Sequence, residues 1–237
     1  GREIYIVDDK VLRKAKPDLI VAQGLCEVFS PFTKEISRAV SILGSQPQVL
    51  ILDPHDLDEI LASIMQMAQK VGRVAQGKRV VASLQARIDR IKSMKIKTRP
   101  KVLCIEWLDP LFTAGHWVPQ MVELAGGVNG ISVSGQPSRR MTIDEAVGFD
   151  PDIIVLMPCG FSISRTVKEL GPLVGSEAWK SLRAVEDGQV YAVDAGSYFS
   201  KPGPRTITGL EILAKIIHPE ATRHIRVPKG SLKKLLG

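Results

Sequence analysis

The chain of 237 residues has few cysteines and no long hydrophobic run. No apolar stretch approaches the ~20 residues that a membrane-spanning helix needs. Cys26, Cys104 and Cys159 have neither a metal-binding spacing nor an obvious disulfide pairing. Cys104 lies in an apolar run and is expected to be a small core residue. The first residue is Gly and no signal-peptide pattern follows it, so the start says nothing about the compartment.

The sequence also lacks the motifs of nucleic-acid binding and of common enzyme classes. Helix-turn-helix, zinc-finger and RNP patterns are absent, and so are the hydrolase nucleophile elbow, the P-loop and the zincin motif. We therefore predict neither a nucleic-acid partner nor an enzyme. The alternative of a different class is a two-lobed, chelatase-like enzyme that uses a metal or nucleophile site built from Cys104, Glu106, Asp109 and His116.

The net charge of +7 comes largely from two parts of the chain, residues 73–99 and residues 223–234. Basic residues in these ranges are typical of a solvated helix face and a basic tail. We therefore interpret the charge as surface solvation and expect residues 219–237 to form a basic tail.

Residues 101–127 combine a short apolar run, a loop rich in large side chains, and a helical pattern that ends at two glycines. A strand, a loop and a helix in this order place the loop at the strand's carboxyl end, where open α/β sheets bind their ligands. The loop is unusually rich in aromatic and polar groups for a connector. We predict that it forms half of a binding site through Trp107, Asp109, Phe112, His116 and Trp117.

The longest helical pattern begins at Asp56 and ends before Pro100, and it contains Gly72 and Gly77 as points where it would kink. If continuous, some forty residues at ~1.5 Å each would extend about 60 Å. That length exceeds one small lobe, so we predict that this helix joins two lobes.

Two segments before this helical pattern are similar in sequence to two segments after it. Residues 16–21 match residues 150–155, and residues 48–53 match residues 189–194. Together with the helical pattern they predict an N-terminal lobe (1–55), a connecting helix (56–98), a C-terminal lobe (99–218) and the tail (219–237). The first lobe has far fewer residues before its echoed strand than the second, so we expect it to lack an opening unit and to expose part of its sheet.

Several motifs together carry a family resemblance over nearly the whole chain. They are KPDLI at 16–20, LCEV at 25–28, EWLDPLFTAGHWVP at 106–119, ELAGG at 123–127, SYF at 197–199 and GPR at 203–205. This pattern resembles the periplasmic binding proteins of ABC importers for vitamin B12, ferric siderophores and haem. It is most similar to the vitamin B12-binding branch.

The resemblance implies an α/β fold of two Rossmann-like lobes with mainly parallel sheets, joined by one long α-helix, with the start of the first lobe missing. It implies capture of cobalamin or a related corrinoid between the lobes and its delivery, unaltered, to a permease and its ATPase. The location would be extracytoplasmic, with membrane contact only through the permease, and no cofactor beyond the transported ligand. A ferric siderophore or haem is the alternative ligand.

The site residues that the resemblance implies fall into three groups. A corrin ring is broad, partly apolar and fringed with amides, so aromatic faces with a few polar groups suit it. Ring faces would come from Trp107, Phe112, Trp117, Tyr198 and Phe199. Polar groups would come from Asp109, His116, Arg139, Arg140 and Arg205, and the opposite wall from Cys26, Glu27 and Phe29.

Some of these residues have open alternatives. His116 is a candidate axial ligand to a bound cobalt or iron, or it caps a helix and lines the cleft. Cys26 and Glu27 contact a ligand or metal, or shape a loop, and some relatives carry a second cysteine where Phe29 stands, so a paired-cysteine role is lost here. Trp107 and Trp117 face the ligand or belong to the core.

Two further predictions concern charged residues. Arg139 and Arg140 suit the carboxylates of a ferric siderophore. Relatives carry an acidic residue in each lobe that meets arginines on the transporter. The matching positions here are Asp8 or Asp9 in the first lobe and Asp144 with Glu145 in the second. The alternative is that these acids only favour the start of a helix through its dipole.

Overall fold

The structure is a computed structural model that describes residues 8–24, 33–44 and 46–235. The predicted wall of Cys26, Glu27 and Phe29 lies outside the described residues. The strands are β1 (Leu19–Gln23), β2 (Gln48–Leu52), β3 (Val102–Leu108), β4 (Leu111–Thr113), β5 (Ile153–Leu156), β6 (Val190–Val193) and β7 (Leu232–Leu235). The helices are α1 (Asp9–Ala15), α2 (Thr33–Leu43), α3 (Leu57–Lys70), α4 (Val74–Lys92), α5 (Val118–Leu124), α6 (Ile143–Phe149), α7 (Ile163–Glu169), α8 (Gly171–Val174), α9 (Glu177–Lys180), α10 (Arg183–Glu186), α11 (Ala195–Tyr198) and α12 (Pro204–Ile217).

The described strands form two separate sheets. In the first part of the chain, β1 and β2 pair in parallel. In the second, five strands follow the order β4-β3-β5-β6-β7, with β3, β5 and β6 parallel and the two edge strands antiparallel. The predicted α/β fold with mainly parallel sheets is confirmed.

The sequence echo corresponds to a structural repeat. Helices α1 and α6 each have seven residues, and each ends at a residue in the left-handed conformation, Lys16 (φ 44°) and Asp150 (φ 49°). Their backbone N–H groups donate to the carbonyls of Leu12 and Ala146, which closes both helices in the same way. A Pro-Asp pair and a parallel strand follow in both cases. The two lobes therefore share a helix–turn–strand unit.

The sheet of the first lobe is much less covered than that of the second. Every residue of β1 and β2 is at least partly exposed, with Val21 43% and Ile51 46% exposed. All four residues of β5 are buried. The first lobe therefore exposes apolar strand residues.

The predicted connecting helix forms two helices. Asp56 caps α3 by accepting a hydrogen bond from the Glu59 N–H (2.8 Å), and Gly72 (φ 67°) lies between α3 and α4. Gly77 is inside α4, where a Cβ atom would collide with the Ala68 side chain, so the two helices pack tightly against each other. A single helix of about 60 Å does not form. The 19-residue α4 is the long helix that leads into the second lobe.

The five-stranded sheet is covered on both faces. Alternating residues of β5 point to opposite sides: Ile153 and Val155 join a core with α3, α4, α5 and α12, whereas Ile154 and Leu156 join a core with α6, α9 and α10. This alternation of a strand buried on both faces gives a three-layer second lobe.

The C-terminal segment is part of this lobe, so the prediction of a basic tail is wrong. Thr222 and Ile225 are buried, and β7 pairs antiparallel with β6 in the register Val193↔Leu232. Lys233 and Lys234 are the exposed residues of β7. Charged side chains of this kind are typical of an edge strand, because they discourage pairing with a further strand.

Candidate functional site

The candidate site lies where the carboxyl ends of strands from both lobes come together. His55 follows β2. His116 lies in the turn that leads from β4, the short partner strand of β3, to α5. The rings of His55 and His116 are 5.7 Å apart, and the Leu57 N–H donates to the Gln120 side-chain oxygen (2.8 Å). These two contacts join the lobes at the strand ends, which is the expected ligand position for such sheets.

The predicted loop after β3 is a tight β-hairpin. Trp107 pairs with Phe112, and Leu108 with Leu111, around a cis Asp109-Pro110 peptide bond. The Trp107 indole N–H donates to the Asp109 carbonyl (3.0 Å), and the Asp109 side chain is exposed. The hairpin holds Trp107 and Phe112 side by side, half-buried, at the end of the sheet.

An aromatic and a cationic group that the sequence analysis missed adjoin Trp107. The Phe161 ring meets the Trp107 ring edge-on, with centroids 5.4 Å apart. The Arg165 guanidinium lies 3.6 Å from the Phe161 centroid, and its Nε–H donates to Glu169 (2.8 Å). Phe161 follows the carboxyl end of β5, and this position in the sequence could have identified it as a site residue. Trp107, Phe161 and Arg165 are called the aromatic wall below.

His116 is held in an unusual backbone conformation, with φ 53°. Its N–H donates to the Gln136 carbonyl (2.6 Å), and its carbonyl accepts from the Gly135 N–H (3.0 Å). Burial lowers the pKa of His116, and the neighbouring His55 lowers it further, while Asp53 opposes this. The imidazole is therefore neutral at pH 7, the form that has a lone pair to offer a metal.

His116 does not cap α5. Trp117 occupies the N-cap position, and within the described residues no side chain caps this helix end. The prediction that His116 caps a helix is therefore wrong. His116 lies beside the lobe junction, and its role as a metal ligand stays a prediction.

Glu106 lies beneath this loop and was not among the predicted ligand-binding residues. Its carboxylate accepts a hydrogen bond from the Gly115 N–H (3.3 Å). Burial raises the pKa of Glu106, and the Gly115 hydrogen bond opposes the rise. Gly115 is required here because a Cβ atom would collide with the Ser138 backbone. The chain at Gly115 therefore packs against both Glu106 and Ser138, and the Glu106 carboxyl group lies directly next to this loop.

Trp117 and Phe199 do not offer ring faces to a ligand, and this part of the prediction is wrong. Both side chains are 4% exposed and belong to the main hydrophobic core. The Trp117 indole N–H donates to the Phe199 carbonyl (3.0 Å), which satisfies its polar group inside the core. Tyr198 is half-buried and packs against the same core.

The predicted arginines are spread over the surface. The Arg139 guanidinium donates to Glu145 (2.7 Å) and to the Arg140 and Ile131 carbonyls. Arg140 is exposed beside β4, where its backbone bridges to Phe112. Arg205 is exposed in the first turn of α12. Arg205 therefore lies on a different element from the neighbouring Arg139 and Arg140. In the loop after β3, the structure brings together Trp107, Asp109 and Phe112.

The predicted docking acids lie at helix starts, and two of them make ion pairs. Asp9 is half-buried and lies 3.2 Å from Arg38. Glu145 pairs with Arg139 and forms a capping box with Thr142 at the start of α6. Asp144 is exposed in the same first turn. The helix-start role is thus met by Glu145, and a docking role stays a prediction.

Cys104, a member of the metal or nucleophile site in the enzyme alternative, is buried. Burial raises the pKa of the Cys104 thiol to about 12, and a protonated, buried thiol is not a nucleophile. In the part of the chain that the structure describes, no group of three or more His, Cys, Asp or Glu side chains is placed to hold a metal ion.

Over the same residues, no helix is both long and apolar enough to cross a membrane.

Comparisons with known proteins agree with this architecture. Residues 10–196 match the family described as "Periplasmic binding protein". The chain is 24% identical over 194 residues to the high-affinity heme uptake system protein IsdE of Staphylococcus aureus, covering 78% of the chain and 62% of that relative. It is 24% identical over 200 residues to a vitamin B12-binding protein of Vibrio cholerae, covering 83% of the chain and 66% of the relative. The chain thus spans less than two thirds of the length of these relatives.

A solved structure has the same fold. An ABC transporter substrate-binding protein from Listeria monocytogenes superposes with a TM-score of 0.75 at 19% identity, covering 90% of this chain and 81% of that one. At this identity the likeness concerns the fold.

Proposed function

The chain belongs to the periplasmic binding protein family, and from this membership we propose that it is the substrate-binding component of an ABC importer. It captures cobalamin or a related corrinoid where its two lobes meet and delivers it, chemically unchanged, to a membrane permease and its ATPase. The location that goes with this role is extracytoplasmic. The membrane is reached only through the permease.

One observation carries the proposal: the second lobe has an aromatic wall at the ends of its strands and a neutral imidazole at the lobe junction. Trp107 provides half-buried ring surface at the end of β3, and the buried Phe161 ring supports it edge-on from behind. His116 provides a nitrogen at the adjacent turn. A corrinoid presents a broad, partly apolar ring around a metal that takes axial nitrogen ligands, so this pairing of groups suits it.

Haem is the second candidate, and the same imidazole favours it. A neutral imidazole is a common axial ligand to haem iron, and one relative is named for heme uptake. A ferric siderophore has less support, because the Arg139 guanidinium is already bonded to Glu145. That pairing leaves Arg140 and Arg205, which lie on different elements, of the three predicted arginines.

Visible absorption spectroscopy after desalting tests the proposal and separates the ligands. The chain is incubated with aquocobalamin, with haemin or with a ferric hydroxamate chelate, passed through a desalting column and scanned. We expect one corrinoid to remain per chain, with a shifted spectrum, and to be recovered intact by mass spectrometry. Retention of haemin alone would select the second candidate, and retention of none would overturn the proposal. A chemically altered ligand would support the enzyme alternative.

A further inference from the structure

The two histidines at the lobe junction share an unexplained feature. Among the described residues, three buried side-chain atoms have no hydrogen-bond partner, and two of them are Nδ1 of His55 and Nδ1 of His116. Buried polar atoms are nearly always paired, because an unpaired one loses its hydration without compensation. Two unpaired nitrogens on rings 5.7 Å apart need one common explanation.

The remaining nitrogen of His55 is arranged as in many metal-binding histidines. Its Nε2 lies 3.4 Å from the Asp53 carboxylate. A histidine that binds a metal usually directs its other ring nitrogen to a carboxylate or carbonyl, which selects the tautomer and leaves the metal-binding nitrogen with a lone pair. With Nε2 next to the Asp53 carboxylate, the unpaired Nδ1 is the ring nitrogen of His55 that remains for a metal.

The backbone holds both rings in place. The His55 N–H donates to the Glu59 carboxylate (2.6 Å), and the His116 N–H donates to Gln136 (2.6 Å). His116 keeps a left-handed backbone, φ 53°, a conformation that is unfavourable for a non-glycine residue and is concentrated at functional positions. The backbone of both histidines is thus fixed on either side of the junction.

We propose that His55 and His116 form a two-imidazole site that binds a transition metal through their Nδ1 atoms. Two imidazoles that share one metal, each at about 2.1 Å, have ring centroids about 4.5 to 6.5 Å apart, depending on the angle at the metal, and the observed 5.7 Å lies in this range. Imidazole nitrogens suit Ni²⁺, Cu²⁺ and Zn²⁺. The site goes beyond the proposed function, since it needs no corrinoid.

The number of protein donors determines how many coordination positions of the metal are left for water or a chelator. No group of three or more His, Cys, Asp or Glu side chains within the described ranges is placed around a metal, so that part of the chain supplies two donors. Water, or a chelator that carries the metal, fills the other positions. The site therefore takes a metal with two adjacent open positions, either the hydrated ion or an open chelate.

Calorimetry on the tag-free chain at pH 7.5 tests this proposal with two probes. NiCl₂ represents the hydrated ion, and Ni²⁺–nitrilotriacetate is a chelate with two adjacent open positions. We expect one Ni²⁺ per chain and at least a tenfold loss of affinity in His55→Gln and in His116→Asn. Asn is chosen at 116 because it tolerates a left-handed backbone. His224→Asn, at an exposed histidine, is the matched control and should bind as the wild type does.

Each outcome has a defined meaning. Binding of NiCl₂ alone supports a hydrated ion, and binding of the chelate as well supports a carried metal. No binding of either probe, or equal binding by the double histidine variant, overturns the proposal. If the variants unfold, Ni²⁺ protection of His55 and His116 from diethyl pyrocarbonate in the wild type decides instead. Unprotected histidines would refute the site.

Discussion

The Arg87 guanidinium binds the Glu211 carboxylate through two hydrogen bonds, Nε–Oε1 at 2.9 Å and Nη2–Oε2 at 2.6 Å. The same Nη2 also donates to the Thr208 hydroxyl (2.8 Å). Glu211 is only 6% exposed, and it lies on α12, whereas Arg87 lies on α4. This bidentate pair attaches the longest described helix to the core of the second lobe.

Replacing Arg87 is therefore expected to destabilise the second lobe. Arg87→Ala leaves a carboxylate without its partner in a mostly apolar setting, and we expect the free energy of unfolding to fall by about 2 to 4 kcal/mol. Urea denaturation measures the loss. Lys180→Ala, which removes an exposed ion pair with Glu177, is the control and should cost less than about 1 kcal/mol.

A double variant checks the physical reason. Arg87→Met with Glu211→Leu removes both charges and fills the space with apolar atoms, so much of the stability should return. A double variant as unstable as Arg87→Ala would mean that the unpaired Glu211 carboxylate is not the cause of the loss.

The two tryptophans at positions 107 and 117 should respond differently to replacement by alanine. Trp117→Ala opens a cavity in the core, and we expect a loss of about 3 to 5 kcal/mol in stability. Trp107→Ala removes a half-buried ring, so the stability loss should be smaller, about 1 kcal/mol, and corrinoid affinity should fall about fivefold. Denaturation and ligand titration measure the two effects. Unchanged affinity in Trp107→Ala would remove this ring from the site.

Cys104 should resist alkylation while the protein is folded. Burial raises the pKa of its thiol to about 12, so almost no thiolate exists at about pH 8. Peptide-resolved mass spectrometry after iodoacetamide treatment should find Cys104 unmodified in the folded chain and modified in urea. Rapid modification under native conditions would show that β3 opens readily.

The Glu145 carboxyl should titrate at a lower pH than an ordinary glutamate. The hydrogen bond from Arg139 lowers its pKa, and the Thr142 N–H lowers it further. A carboxyl with a depressed pKa stabilises the fold above the ordinary glutamate pKa, and this contribution is lost as pH falls through the depressed value. NMR titration of the side chain measures the midpoint. In Arg139→Ala the midpoint should rise towards the ordinary value, and an unchanged midpoint would contradict this cause.

Charge reversal tests docking on the importer. Asp9→Lys with Asp144→Lys places two positive charges in the first turns of helices, one in each lobe. We expect stimulation of the importer's ATPase to be lost while ligand binding is kept, because the transporter surface would meet like charges. Asp187→Lys, at a surface turn, serves as the control for charge reversal as such. Full stimulation by the Asp9/Asp144 variant would leave these acids with only a helix-start role.

Local patterns determined most of the fold. The strand β3 (Val102–Leu108) and the helix α5 (Val118–Leu124) follow the order that the sequence predicts for residues 101–127, because glycines and apolar runs act over a few residues. The repeated helix–turn–strand unit was also readable, since Lys16 and Asp150 precede matching Pro-Asp pairs.

Only the tertiary structure decided which of these residues meet. Trp107 and Trp117 belong to one motif, yet one lines the junction and the other is buried in the core. His55 becomes a candidate site residue only because its ring lies next to that of His116. The two histidines are far apart along the chain and come together only when the lobes fold. The basic C-terminal segment becomes β7 because β6 offers it an edge. Local sequence specifies conformation over a few residues, whereas burial and pairing between distant residues depend on how the whole chain packs.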